Sequence, residues 1–206
     1  MICSAAMMLV GLTGGVATGK STVSKMFKQC GAVVIDADAL AREIVQPGKP
    51  AWREIIRVFG KDMLNPDRTI NRHSLGTMVF HDKKKRRRLE LIIHPRVARE
   101  QTKLAKQAGK KDPHAIVIYD VPLLFEAHID KRVDKVIVVT ADHKTQLDRL
   151  RKRNGLSRAE ALRRIRSQLP LAQKRRLADY VLDGTKNRRQ LAREVSQVLE
   201  DLRTLN

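Results

Sequence analysis

The sequence predicts an α/β fold in which a mainly parallel sheet is flanked by helices. Short, almost uninterrupted apolar runs recur along the chain, and Val- and Ile-rich runs without alternation are typical of parallel strands that are covered on both faces. Segments with helical spacing of apolar residues separate these runs, and strands that alternate with helices form parallel sheets. The chain has 206 residues, a length that suits one domain or one domain with an inserted lobe.

Four apolar runs predict strands, at residues 7–12, 33–35, 115–119 and 136–139. A long segment between the second and third of these strands has helical spacing and no convincing strand. We therefore expect a single domain, in which a helical insertion over about residues 48–109 interrupts a core formed by residues 1–47 and 110–206.

Several helices can be placed by the signals at their ends. A helix over about residues 20–29 follows the first strand, and Pro50 is well placed to open another. Ser157 and Glu160 have the spacing of a capping box. Near the C-terminus, apolar residues recur at helical spacing, at Leu191, Val195, Val198, Leu199 and Leu202.

The composition is strongly basic. The 42 Lys and Arg residues exceed the 22 Asp and Glu residues, which gives a net charge of +20. Such an excess implies a polyanionic partner, which is a nucleic acid, an acidic membrane surface or a phosphorylated small molecule. Aromatic residues make up only 3% of the chain, which argues against a protein that binds single strands by stacking bases.

The location is predicted from what the sequence does not contain. No apolar run approaches the roughly 18 residues of a membrane span, and the first residues do not form a secretory signal. Cys3 and Cys30 have neither the spacing of a metal site nor that of a disulfide framework. We expect a cytoplasmic protein, and a mitochondrial or membrane-associated location stays open.

A glycine-rich motif follows the first predicted strand. Residues 14–21 fit the pattern G-x-x-x-x-G-K-[ST], the P-loop, in which backbone N–H groups surround a phosphate at the start of a helix. Lys20 supplies a cation for the β- and γ-phosphates, and the Ser21 hydroxyl can bind Mg²⁺. The predicted ATP-binding residues of this segment are Gly14, Gly15, Val16, Ala17, Thr18, Gly19, Lys20, Ser21 and Thr22.

The rest of the chain narrows the class of P-loop protein. No Asp has a Gly three positions further on, and Asn-Lys-x-Asp does not occur, so the motifs of a GTPase are missing. The chain is too short for a large ATPase motor. A small kinase remains, in which the second strand and a helical lobe hold the acceptor of the phosphoryl group.

The second strand is expected to end in two carboxylates, Asp36 and Asp38. In open α/β sheets ligands bind beyond the carboxyl ends of the strands, and side chains two apart in a strand face the same way. One of these carboxylates is therefore placed to accept a proton from an attacking hydroxyl. The alternative is that Asp38 only caps a helix that starts near Ala39.

Blocks of sequence along almost the whole chain resemble one family, the dephospho-coenzyme A kinases. They are residues 10–22 (VGLTGGVATGKST), 34–38 (VIDAD), 41–42 (AR), 94–95 (HP), 121–126 (VPLLFE) and 178–183 (ADYVLD). The resemblance implies a P-loop kinase core with a helical acceptor-binding region and a lid over about residues 149–168. It also implies phosphorylation of the ribose 3′-hydroxyl of dephospho-coenzyme A by ATP with Mg²⁺, the last step of coenzyme A synthesis.

The resemblance also assigns roles on the acceptor side. It makes Asp38 the general base and leaves Asp36 as a structural residue or an aid to Mg²⁺. Thr13 is expected beside the acceptor, which Arg42 and His94 help to bind. Without the resemblance, His94 before Pro95 is typical of the end of a helix.

The remaining candidates lie on the ATP side. Asp120 ends the third strand, where P-loop proteins often carry an acidic residue near the metal; a simple strand-end turn before Pro122 is the alternative. Arg149 and Arg153 are four residues apart on a predicted helix and fit a lid over the ATP phosphates, with Arg164 and Arg166 less definite. For each arginine the alternative is a solvated helix face.

The sequence departs from the family pattern at two positions. Ala17 stands where the P-loop of the family often has Gly, although the defining glycines are intact. Gly184 stands where the usual residue is Asn, which puts in doubt an adenine contact through that side chain.

A run of six cations at residues 83–88 leaves two alternatives open. It is typical of a solvated stretch at the start of a helix, and it also occurs in nucleic-acid-binding segments. The alternatives to the kinase named above are therefore a nucleoside or nucleotide kinase and, less favoured, a basic nucleic-acid-binding P-loop protein.

Overall fold

A five-stranded sheet with the strand order β2-β3-β1-β4-β5 forms the centre of the fold. The computed structural model describes residues 7–206. The neighbours β1 and β3, β1 and β4, and β4 and β5 pair in parallel, so the predicted mainly parallel sheet is confirmed. The strands are β1 Met8–Gly14, β2 Val33–Asp36, β3 Ile116–Asp120, β4 Lys135–Thr140 and β5 Tyr180–Asp183.

Nine α-helices connect and follow these strands within the described residues. They are α1 Lys20–Gln29, α2 Ala37–Glu43, α3 Pro50–Phe59, α4 Arg72–His81, α5 Lys83–Lys111, α6 His143–Asn154, α7 Arg158–Arg166, α8 Leu171–Arg176 and α9 Arg188–Leu205. Short 3-10 helices lie at Lys61–Met63 and Asp130–Arg132. Among these helices, none combines the length and hydrophobicity that crossing a membrane requires.

The chain divides into two compact units. One comprises the described residues up to Ile35 together with Ala105–Asn206, and the other comprises Asp36–Leu104. The predicted boundaries of the helical insertion and of the lid stay predictions. Of the two cysteines, Cys3 lies outside the described residues and Cys30 is a free thiol.

The core of the first unit lies between the sheet and the helices α1 and α9. Val10 and Leu12 of β1 are completely buried there, together with Phe27 of α1. The predicted apolar stripe of α9 is confirmed, because all five of its members are buried against this core: Leu191, Val195, Val198, Leu199 and Leu202. This packing fixes β1, which carries the P-loop at its end.

The second unit is helical and has its own core. Trp52 of α3 is buried there, its indole N–H donates to the carbonyl of Arg68 at 2.8 Å, and the Arg68 guanidinium lies 5.7 Å from the ring centre. The β-structure in this unit is an isolated bridge between Leu64 and Ile70. The prediction of a helical segment without a regular strand therefore agrees with the structure.

The expectation of a helix end at His94 is wrong, because α5 continues through Pro95. Arg96 follows Pro95 directly, and its guanidinium donates to the carbonyl of Ile92 at 2.7 Å. The same guanidinium donates to Glu54 of α3 at 2.6 Å. The bond to Glu54 thus joins α5 to α3 next to a residue that, by itself, favours a helix boundary.

Candidate active site

The P-loop connects β1 to α1, and its backbone turns through two left-handed residues. Gly19 has φ of 99° and Ala17 has φ of 60°. Glycine adopts this region without steric cost, whereas alanine is strained there. This geometry gives a physical reason for glycine at the Ala17 position of the family pattern. The Thr18 hydroxyl closes the turn by donating to the carbonyl of Gly15 at 2.9 Å.

Two glutamine side chains hold the middle of the loop at Val16. The amide of Gln146, on α6, donates to the carbonyl of Val16 at 2.7 Å. The side-chain oxygen of Gln168 accepts from the N–H of Val16 at 2.8 Å. Both polar groups of this backbone unit are therefore occupied by segments far along the chain, which leaves the loop little freedom to change shape.

Lys20, the P-loop lysine, forms an ion pair with Asp120 at the end of β3. Its side chain is 16% exposed and that of Asp120 is 6% exposed, so the pair is screened only weakly by solvent. The pair brings together the two charged groups that the sequence assigned to the phosphates and the metal. Lys20 is also the first residue of α1, whose N-terminal end carries a partial positive charge.

The two hydroxyl residues after Lys20 lie at the start of α1. Ser21 and Thr22 are exposed, and within residues 7–206 neither hydroxyl forms a hydrogen bond with a side chain or the backbone. Thr13, at the end of β1, is fully buried instead, and its hydroxyl donates to the carbonyl of Pro122 at 3.0 Å. The predicted roles of these residues toward metal and acceptor stay predictions.

The two carboxylates after β2 have different surroundings. Asp36 ends the strand and is the N-cap of α2, because its carboxylate accepts from the N–H of Ala39 at 3.0 Å. Asp38 lies inside the first turn of α2, so the expectation that both belong to one alternating strand is wrong. The alternative role of Asp38 as a cap is wrong too. Its carboxylate forms no hydrogen bond or ion pair with residues 7–206.

The two other acceptor candidates are residues of the second unit. Arg42 lies in the last turn of α2, and its carbonyl accepts from the side chain of Gln46 at 3.2 Å. His94 is exposed on α5. Both side chains are accessible to a ligand, and their assignment to the acceptor stays a prediction.

The arginines of α6 do not share one environment. The guanidinium of Arg149 donates to the carbonyls of Ala17, at 3.3 Å, and Gly184, at 2.8 Å. Arg153 is exposed and donates to Asn154 at 3.0 Å. Arg149 therefore contacts the P-loop directly, whereas Arg153 has no described contact with it. Arg164 and Arg166 are exposed on α7, which begins with the predicted Ser157–Glu160 capping box.

Gly184, the second departure from the family pattern, lies against the P-loop. A Cβ atom built on this residue would be 1.9 Å from the carbonyl oxygen of Thr18, so no side chain fits on this backbone. Glycine at this position thus allows the turn after β5 to touch the loop. Its carbonyl accepts from Arg149.

We expect Gly184→Ala to destabilise the protein by about 1–3 kcal/mol, because the added methyl group overlaps a backbone oxygen. Its affinity for ATP should fall, since the methyl group pushes on the P-loop. Thermal denaturation and ATP titration measure the two effects. Gly76→Ala is the matched control, because Gly76 is inside α4 and a Cβ there meets nothing within 4 Å. We expect the control to gain about 0.5–1 kcal/mol, and equal melting temperatures for the two variants would contradict the contact.

Sequence reasoning missed three side chains that hold the loop: Gln146, Gln168 and Lys174. Gln146 and Lys174 are buried polar residues within helices whose neighbouring residues are mostly charged, so composition gives no signal for them. Their partners in the P-loop segment, Val16 and Gly14, lie 130 and 160 residues away in the chain. Such contacts are visible only once the fold is known.

Comparisons with known proteins point to one family. A model of the dephospho-CoA kinase family matches residues 8–198. A dephospho-CoA kinase from Bacillus cereus is 48% identical over 179 residues, which covers 86% of this chain and 89% of the relative. One from Listeria monocytogenes is 42% identical over 191 residues, which covers 93% and 95%.

Solved structures agree with this family assignment. Dephospho-CoA kinase from Campylobacter jejuni is 25% identical, with a TM-score of 0.65 over 95% of this chain and 97% of that one. A protein from Thermus thermophilus is 32% identical, with a TM-score of 0.83 over 96% of this chain and 98% of that one. The predicted P-loop kinase fold is confirmed, and the chain belongs to the dephospho-CoA kinase family.

Proposed function

We propose that the protein transfers the γ-phosphoryl group of ATP to the ribose 3′-hydroxyl of dephospho-coenzyme A, with Asp38 as the general base. Family membership makes it an ATP-dependent phosphotransferase of the last step of coenzyme A synthesis. The observation that carries the site assignment is the P-loop, whose Lys20 opens α1 and pairs with Asp120 at the end of β3.

The loop and the lid arginines supply the binding site for the ATP phosphates in this proposal. Backbone N–H groups of residues 14–22 and the start of α1 attract phosphate oxygens. Lys20 exchanges Asp120 for the β- and γ-phosphates when ATP binds. Arg149 lies beside the loop already, and Arg153, one turn further along α6, is accessible to the same nucleotide.

Mg²⁺ is part of the proposal. Ser21 and Asp120 offer hydroxyl and carboxylate oxygens, and Mg²⁺ prefers oxygen ligands while keeping several waters. Residues 7–206 contain no group of three or more His, Cys, Asp or Glu side chains that could enclose a metal. This agrees with an ion held by one or two protein ligands and by the nucleotide phosphates. When bound, Mg²⁺ neutralises part of the phosphate charge.

Asp38 is the proposed base because the family resemblance assigns it this role, and because its carboxylate is exposed and forms no hydrogen bond or ion pair within residues 7–206. As the phosphoryl group moves, the carboxylate receives the proton of the ribose hydroxyl and orients that oxygen. Arg42 and His94 are proposed to bind the anionic acceptor, and the buried Thr13 hydroxyl is proposed to lie beside it. A cytoplasmic location stays part of the proposal as well.

The test is an assay of ADP release that offers dephospho-coenzyme A beside adenosine, AMP, CMP and pantothenate. We expect turnover with dephospho-coenzyme A and a new phosphate on the ribose 3′-hydroxyl, which phosphorus NMR of the product identifies. Preference for a nucleoside or a nucleotide would contradict the proposal and favour the second candidate, a nucleotide kinase.

The basic run at residues 83–88 is the feature that would support the alternative function, nucleic-acid binding. All six side chains are exposed at the start of α5. Arg86 and Arg87 lie 4.0 and 3.7 Å from the carboxylate of Glu90, as expected of a solvated helix face. We expect kinase activity without RNA and little change when RNA is added, and a requirement for RNA would favour the alternative.

A further inference from the structure

Lys174 on α8 is completely buried, unlike the other basic residues of that helix. Its side chain is 0% exposed, whereas Arg175 and Arg176 are exposed. The ammonium group lies 2.8 Å from Glu126, 3.3 Å from the carbonyl of Pro122 and 3.4 Å from the carbonyl of Gly14. A lysine ammonium has three N–H donors, so these three acceptors satisfy it fully.

Glu126 connects this cation to the segment that follows α7. One carboxylate oxygen binds Lys174, and the same oxygen accepts from the N–H of Leu169 at 2.9 Å. Burial by itself raises the pKa of Glu126, but the hydrogen bonds from Lys174 and Leu169 outweigh it and lower the pKa below its ordinary value. The carboxylate is therefore charged at neutral pH and compensates the buried ammonium.

The two carbonyls bound by Lys174 belong to the catalytic segments. Gly14 is the first residue of the P-loop motif. Pro122 lies two residues after Asp120, the partner of Lys20, and its carbonyl also accepts from Thr13. One buried ammonium thus joins the start of the P-loop to the turn after β3. A purely apolar core residue could not hold two carbonyl oxygens at this place, because carbonyls require donors.

We propose that Lys174, with Glu126, is a positioning residue that fixes the P-loop relative to the end of β3. Without the ammonium, the carbonyls of Gly14 and Pro122 lose a shared donor, and the loop occupies its phosphate-binding shape for a smaller fraction of the time. Apparent ATP affinity falls in proportion to that fraction. The inference rests on the proposed function only where turnover with dephospho-coenzyme A is the readout.

The first test is Lys174→Met, which keeps the apolar stem and removes the ammonium. We expect the Kd for ATP to rise about tenfold in the folded protein, measured by titration calorimetry well below the melting temperature. Turnover should fall up to ~100-fold, as expected when reacting groups are misplaced. Arg176→Met is the matched control on the same helix, and it should leave both quantities unchanged.

The double variant Lys174→Met/Glu126→Gln separates positioning from stability. Removing one partner of a buried pair leaves an uncompensated charge and destabilises the fold, whereas removing both charges relieves that penalty. The amide that replaces the Glu126 carboxylate still offers an oxygen to the N–H of Leu169. We therefore expect the melting temperature to recover in the double variant, while ATP affinity and turnover stay low.

The outcomes are distinguishable. Recovery of ATP affinity together with the melting temperature would overturn the positioning role and leave Lys174 as a structural residue. Unchanged ATP affinity in Lys174→Met would overturn it as well. If the wild-type protein binds ATP but does not phosphorylate dephospho-coenzyme A, the proposed function fails, whereas a tenfold loss of ATP affinity in both variants would still support the role of Lys174.

Discussion

Replacing Lys20 by alanine is expected to lower turnover by about 10²–10³-fold, the range for loss of one group that stabilises transition-state charge. In phosphoryl transfer the protein contributes mainly positioning and charge stabilisation. Lys20 is the only cation of residues 14–21, and the loop around it is already held by Gln146 and Gln168. The loop should therefore keep its shape, so the loss falls on the chemical step. Steady-state kinetics with saturating ATP measures it.

The control for Lys20→Ala is a double variant that also changes Asp120, the ion-pair partner of Lys20. Lys20→Ala removes an ion pair from the Asp120 carboxylate, which is 6% exposed, and this loss by itself destabilises the fold. Lys20→Ala/Asp120→Asn removes the charge as well, so we expect its melting temperature to lie above that of the single variant while turnover stays low. Near-normal turnover in a folded Lys20→Ala protein would remove this lysine from the mechanism.

The features that could be predicted from the sequence are those that depend on residues close together in the chain. Four strands were predicted because buried parallel strands need apolar side chains on both faces, and the apolar stripe of α9 follows directly from helical periodicity. The P-loop could be predicted because all residues of its pattern are adjacent, at positions 14–21.

Features that depend on long-range contacts could not be predicted in this way. β5 has only four residues, lies at the edge of the sheet, and is a strand because it pairs with β4. The helix α5 continues through Pro95, although proline by itself favours a helix boundary. Lys174 was missed because a lysine among charged neighbours looks solvated until the fold buries it.

The two carboxylates Asp36 and Asp38 show most clearly what the sequence alone does not determine. The sequence places Asp36 and Asp38 two residues apart but does not say where β2 ends and α2 begins. Because the helix begins at Ala37, Asp36 becomes the cap and Asp38 is released from that role. The proposed role of Asp38 in proton transfer therefore does not compete with helix capping.

We expect Asp38→Asn to lower kcat by at least ~100-fold, because general-base catalysis contributes typically 10²–10⁴-fold. KM should change little, since the proton moves only in the transition state. Asp36→Asn is the matched control, and it should keep turnover and melting temperature because Asn caps a helix about as well as Asp. Initial rates and thermal denaturation of both variants decide between the carboxylates. If Asp38→Asn keeps most of its turnover while Asp36→Asn loses it, the base is Asp36, and its hydrogen bond to Ala39 then orients the catalytic carboxylate.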